Sequence, residues 1–197
     1  MIESPSAGKS TITNLNGRLE VSIQARKNWF LIIFYSVWLG GWFMGEKFAV
    51  SEIINADSPS GIDFFLLFWA LGWTLAGAFI IYSIIWQLFG KEILSIDRGV
   101  LNLRKTALSI GRHKQYRIKD VSNFTIDHNY NTSLFGGGRT SYSGFFNQGK
   151  IKFDYGLKTI RFGQSIQEAE AKYILSLLRQ NRHFVDGNFP ADKNLIP

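Results

Sequence analysis

The sequence predicts an α+β membrane protein: a two-helix transmembrane hairpin plus an antiparallel β barrel or sandwich capped by one C-terminal helix. Three observations lead there. Two stretches, 28–45 and 62–90, are almost free of charge over the length that a helix needs to cross hydrocarbon, about 20 residues. Beyond residue 90 the apolar residues alternate, which is the period of a strand with one buried face. Near the end the spacing becomes that of an amphipathic helix. Hydrophobic residues make up 46% of the 197 and charged residues 19%, too apolar a mixture for a disordered chain.

Residues 1–27 read as a cytoplasmic tail. Within them Gly8-Lys9-Ser10-Thr11 ends as a phosphate-binding P-loop ends. A working loop needs glycine five positions before Gly8, a buried strand ahead and a helix behind. Glu3 occupies the glycine position, and TITNLNGRLEVSIQ alternates around Asn16-Gly17 like a strand or hairpin. The match is coincidental.

The first apolar stretch, NWFLIIFYSVWLGGWFMG, begins too far from the start and lacks the cleavage site of a signal peptide. The second, IDFFLLFWALGWTLAGAFIIYSIIWQLFG, is longer than a crossing requires, so it tilts or extends into water. Lys9, Arg18, Arg26 and Lys27 precede the first stretch, and bases outnumber acids after residue 90. The connector 46–61 is acidic. Lys and Arg stay on the cytoplasmic side, so both termini are expected inside and the connector outside. An inner or thylakoid-type membrane is the expected location. Trp29, Trp42 and Trp86 fall near the boundaries, where indoles gather. Gly41 and Gly45, with Gly72, Ala76 and Gly77, give smooth helix faces suited to close packing, either between the two spans or against a larger membrane complex. No charge in mid-span marks an ion path.

Alternation then sets the strands. Leu94 and Ile96 face inward in EILSID, and Arg98-Gly99 turns the chain into VLNLRK with Leu101 and Leu103 inward. TALSIG is expected to bury Leu108 and Ile110; QYRIKD and SNFTIDH bury Tyr116, Ile118, Phe124 and Ile126. KIKFDYG and LKTIRFG add Ile151, Phe153, Tyr155, Ile160 and Phe162 around a turn at Gly156. Ser165-Ile166-Gln167-Glu168 has the form of a capping box. It precedes a stripe of Ile166, Ala169, Tyr173, Ile174, Leu177 and Leu178. Residues 183–197 read as a loose tail.

The residues EILSIDRGVLNLRK, YRIKDVSNFTID and IRFGQSIQEAEAKYILSLL together resemble the bacterial pleckstrin-homology-like (PH-like) domains that follow a transmembrane hairpin. The layout is also similar to that of the plastid and cyanobacterial factors that assist photosystem I assembly. This resemblance implies that 91–182 is a PH-like domain, a non-catalytic module that binds proteins or lipids. It supplies no catalytic residues. The departure is an inserted loop, 129–148, where such domains have a short turn.

Two groups of residues attract a functional reading. The inserted loop joins Gly136-Gly137-Gly138 to Phe135, Arg139, Tyr142, Phe145 and Phe146. These aromatics either bind a partner or a membrane, or fold back onto the domain. The run Arg98, Arg104, Lys105, Arg112, Lys114, Arg117 and Lys119 holds no acid. It is either a solvated sheet face or a surface drawn to anionic lipid headgroups, each base contributing about 1 kcal/mol near the inner leaflet. Nucleic acid is not an expected partner, because the bases lack interleaved stacking aromatics.

No cofactor or metal site is expected. The chain has no cysteine; His113, His128 and His183 are isolated. Asp127 and His128, adjacent in a strand, point to opposite faces. The leading expectation is a non-enzymatic scaffold, assembly factor or accessory subunit of a larger membrane protein complex, anchored in the lipid bilayer. The alternatives are a lipid-sensing module using the basic run and an enzyme with an unrecognised site around Asp127, His128 and Arg139.

Overall fold

The computed structural model describes residues 10–15, 18–55, 61–127 and 149–190. The chain divides into two compact units: residues 27–89 form one, and the two flanking stretches, 1–26 and 90–197, form the other.

In the first unit, α1 (Trp29–Ile54) and α2 (Gly61–Phe89) are both long and apolar enough to cross a membrane. Their 26 and 29 residues correspond to about 39 and 43 Å of helix, against about 30 Å of hydrocarbon. Asn28 starts α1 by accepting from the Leu31 amide at 3.3 Å, and its own amide donates to Gln87 Oε1 at 3.3 Å. The apolar character runs all round each helix, and Phe30, Val37, Met44, Phe68 and Leu75 are exposed. α1 continues into the expected connector 46–61, through Glu46, Lys47 and Glu52 to Ile54. The Thr74 hydroxyl bonds the Glu46 carboxylate, which favours that longer helix.

The second unit carries eight strands: β1 (Ser10–Leu15), β2 (Arg18–Gln24), β3 (Lys91–Asp97), β4 (Val100–Ala107), β5 (Ile110–Arg117), β6 (Val121–Ile126), β7 (Ile151–Tyr155) and β8 (Lys158–Phe162). One sheet runs β1-β2-β3-β4-β5 and the other β6-β7-β8, antiparallel throughout. The described strands do not close into a barrel. The turn between β3 and β4 places Arg98 and Gly99 at φ 47° and 76°, as a tight hairpin turn requires.

Over Ser10–Leu15 and Arg18–Gln24 the expected tail is sheet. β1 and β2 are full members of the sheet, and Leu19, Val21 and Ile23 lie in its core. β2 pairs with β3 so that Gln24 faces Lys91, and the Ala25 amide donates to the Gly90 carbonyl at 2.9 Å. That is how a β-hairpin closes, yet residues 26–89 stand between its arms. The apolar helix pair is an insertion in a hairpin.

Both sheets share one core. Val21, Ile23, Leu94, Ile96 and Leu101 come from the first sheet, and Phe124, Ile126, Ile151, Phe153 and Phe162 from the second. Each large side chain removed from water contributes about 1.5–3 kcal/mol. α3 (Glu168–Gln180) seals this core with Ala171, Ile174 and Leu178. The helix begins later than its sequence suggests: Gln167 is the N-cap without a side-chain bond, so the proposed capping box does not form. The buried stripe is rotated accordingly, with Ala169 exposed and Glu170 buried. Glu170 is satisfied by the Ser10 amide, at 2.6 Å.

The expected loose tail also needs correction over its first part. Phe184 and Phe189 pack onto Phe124, with ring centroids 5.7 and 6.0 Å away. Between them Asn188 Nδ2 donates to the carbonyls of Ile118 at 2.9 Å and Val121 at 2.6 Å. A buried side-chain amide thereby ties the C-terminal segment to two backbone carbonyls, just before and at the start of β6.

The Tyr116 hydroxyl is buried without a hydrogen-bond partner among the described residues. Burial first, and Tyr155 second, raise its pKa above the usual 10.0. Folding therefore favours the protonated phenol: that contribution is complete below the unfolded-state pKa and is lost as pH rises through the raised folded value. Tyr116→Phe is expected to match or exceed the parent by about 1 kcal/mol at neutral pH. The advantage should widen at alkaline pH, as thermal melts at the two pH values will report.

Candidate functional site

The basic run does not form one outward face. Residues opposite each other in an antiparallel pair share a side of the sheet. Leu101 faces Tyr116, Leu103 faces Lys114, Lys105 faces Arg112 and Ala107 faces Ile110, which puts these pairs on the core side. Arg104 faces His113 and Val100 faces Arg117 on the other side. Arg98 lies in the β3–β4 turn and Lys119 in a short 3-10 turn, Ile118–Asp120. The run is split across two faces and two turns.

Several of its members have acidic partners from outside the run. Arg117 Nε lies 2.8 Å from Asp120, and Arg98 Nε lies 3.6 Å from Asp97. Both pairs are exposed, so they add little to stability. Lys105 differs. Its Nζ stands 3.0 Å from Glu92 Oε1, with side-chain exposures of 17% and 4%. Glu92 Oε2 accepts the Gly163 amide, so one carboxylate joins β4 to the turn that follows β8. Lys105 is a half-buried cation on the core side of β4, held in a pair with the buried Glu92.

The remaining bases divide between the two ends of the first sheet: Arg98, Arg117 and Lys119 lie at the β3–β4 turn end, and Arg104, Arg112 and Lys114 lie toward the other. A single register row joins Gln24, Lys91, Thr106 and Gly111. Arg112, Arg104 and Lys114 occupy the next rows inward. Past that row the β4–β5 turn projects, with Leu108 at φ 50° and Ser109 at φ 68°. The expectation that Leu108 and Ile110 are buried is overturned: they are 56% and 82% exposed. Ile110 has the core-side parity that alternation assigned to it, but the hairpin overshoots the layer that covers the sheet.

Asp127 is held between two cations. It accepts from Arg161 Nε at 3.0 Å and lies 3.6 Å from Lys152, cations of the neighbouring strands. His128 and the loop residues Phe135, Arg139, Tyr142, Phe145 and Phe146 lie outside the described residues. Among the described residues no three His, Asp or Glu side chains gather as metal ligands do.

In the helix pair the small residues separate into two groups. Gly77 gives way to the Trp42 indole, and any side chain there would collide with it. Trp42 Nε1 then donates to the Trp73 carbonyl at 2.9 Å, while Gly45 abuts Trp73. These residues serve the α1–α2 contact. A side chain at Gly41 or Gly72 would meet nothing within 4 Å, and Ala76 is exposed.

No protein-family model matches the chain, and no curated protein matches it. The fold defines a coarse class: a mixed α+β chain with two helices apolar and long enough to cross a membrane, inserted into an antiparallel two-sheet domain.

Proposed function

We propose that this chain is a non-enzymatic, membrane-anchored binding module that acts as a scaffold, assembly factor or accessory subunit of a larger membrane protein complex. Its two helices cross the bilayer, and both termini and the sheet domain lie on the cytoplasmic side. The domain is PH-like: two antiparallel sheets and one C-terminal helix support that assignment, with the preceding β1–β2 hairpin as an addition to the plan.

The observation that carries the proposal is the outer surface of the helix pair. Large apolar side chains cover it, while Gly41, Gly72 and Ala76 leave smooth ground that the α1–α2 contact does not use. Small residues on a lipid-facing surface let another helix approach closely. Extraction of the full chain in mild detergent, followed by affinity isolation, is expected to recover stoichiometric membrane-protein partners. Gly41→Leu with Gly72→Leu should release them while Gly45 and Gly77 keep the pair intact. Recovery of the chain alone contradicts the proposal.

A second reading, recognition of anionic lipid by the sheet domain, is favoured by the collection of Lys91, Arg104, Arg112 and Lys114 at one end of the first sheet.

A further inference from the structure

We propose that the β4–β5 turn is a membrane-contact element, which seats Leu108 and Ile110 in the headgroup region of an anionic bilayer while neighbouring bases engage lipid phosphates. The proposal rests on the two-span and lipid readings above and assigns the contact to a particular part of the domain.

Covalent connection comes first. The chain leaves the first sheet for α1 just after Gln24 and returns from α2 at Lys91, with Gly90 alone between Phe89 and Lys91. Gln24 and Lys91 share a register row with Thr106 and Gly111. The β4–β5 turn therefore projects from the same end of the sheet by which the chain enters and leaves the apolar helices. With strands about 4.8 Å apart, the turn stands within about 10 Å, laterally, of Lys91, where the chain re-enters the sheet.

The chemistry of that end is mixed in the way an interface demands. Ile110 is 82% exposed at the tip and Leu108 56%. Apolar side chains at a hairpin tip have no folding benefit, and Leu108 carries an added cost. A leucine at φ 50° adopts a backbone region that suits glycine or asparagine. Ala107-Leu108-Ser109-Ile110 thus keeps a poor turn former where Asn-Gly is preferred. Behind the tip, the first four register rows contain Lys91, Arg112, Arg104 and Lys114, besides the Lys105–Glu92 pair. Glu92 is buried and neutralised by Lys105. Positive charge near an anionic leaflet strengthens attachment that a short apolar tip supplies only weakly.

The chain has no cysteine, so single cysteines can carry a polarity-sensitive fluorophore in the full-length protein. Ile110→Cys tests the tip. Leu157→Cys is the control, since Leu157 is even more exposed, at the β7–β8 turn. Leu75→Cys, midway along α2, reports the span. The labelled chains are reconstituted in phosphatidylcholine vesicles with and without phosphatidylglycerol, carrying either a headgroup or a deep acyl-chain quencher.

The Ile110 probe is expected to be quenched by the headgroup quencher in anionic vesicles, and less so in neutral vesicles or high salt. The Leu157 probe stays in water. Arg112→Gln and Lys114→Gln should each reduce the ratio of docked to undocked probe about fivefold. Leu108→Asn with Ser109→Gly retains the hairpin, improves its turn and abolishes the quenching. An Ile110 probe as water-exposed as that at Leu157, while Leu75 is quenched from the acyl region, overturns this assignment alone. Escape of the Leu75 probe from the deep quencher overturns the two-span reading and this proposal with it.

Discussion

Replacing Lys105 with methionine is expected to destabilise the sheet domain by about 3–5 kcal/mol, the usual loss when one partner of a buried ion pair is removed. Glu92 is then a carboxylate inside the core that keeps the Gly163 amide as its donor among the described residues. Because total domain stability is about 5–15 kcal/mol, such a loss is a large share of it. The double variant Glu92→Gln with Lys105→Met keeps an acceptor for Gly163 and removes both charges. It is expected to recover most of the stability. Denaturant unfolding of the full chain in detergent measures both, followed by near-ultraviolet dichroism in the tyrosine region. A single-variant loss below about 1 kcal/mol contradicts a buried, paired Glu92.

A fragment of residues 91–182, the domain as its sequence delimits it, is expected not to fold. It lacks Leu19, Val21 and Ile23 on one side and Phe184 and Phe189 on the other, all buried in the shared core. Five such side chains contribute about 8–15 kcal/mol by area, as an upper bound, which matches the stability of an entire domain. The fragment also exposes the β3 edge that β2 covers, and loses the Asn188 bonds to Ile118 and Val121. Dichroism should show a largely coil spectrum without a cooperative melt. A cooperative unfolding transition in this fragment would show that the flanking segments are dispensable.

What the sequence disclosed follows from the range of the interactions involved. Parity within a strand is local, so Leu94, Ile96, Leu101, Phe124, Phe153 and Phe162 are readable as core positions from alternation alone. The length of an apolar run is local too, and it marks α1 and α2. Pairing of β2 with β3 is not local. Neighbouring elements in sequence usually pack together, and here residues 26–89 separate two strands that pair like the arms of a hairpin. That is why 10–24 reads as a tail despite its alternation. Coverage is the second thing alternation omits: Ile110 has the right parity, but the second layer ends before it. Lys105 was legible. It shares parity with Leu101 and Leu103, and Glu92 shares it with Leu94, so two opposite charges at inward positions of successive strands already signal a buried pair. The C-terminal anchor was not legible, because Phe184, Asn188 and Phe189 act through single contacts to residues far away in the chain.

The proposed lipid contact and the proposed partner surface both depend on the helix pair being a membrane insertion into a domain complete without it. All six tryptophans belong to that pair, so the remaining chain can be prepared without them. The most direct measurement compares the full chain with one in which an Asn-Gly turn joins Ala25 to Gly90 and residues 26–89 are deleted. Cell membranes are washed at alkaline pH and sedimented. The account predicts that the full chain stays in the membrane pellet, while the spliced chain remains in the supernatant as a folded monomer with a sheet-rich dichroism spectrum. A full chain released by the wash, or a spliced chain that fails to fold, contradicts it.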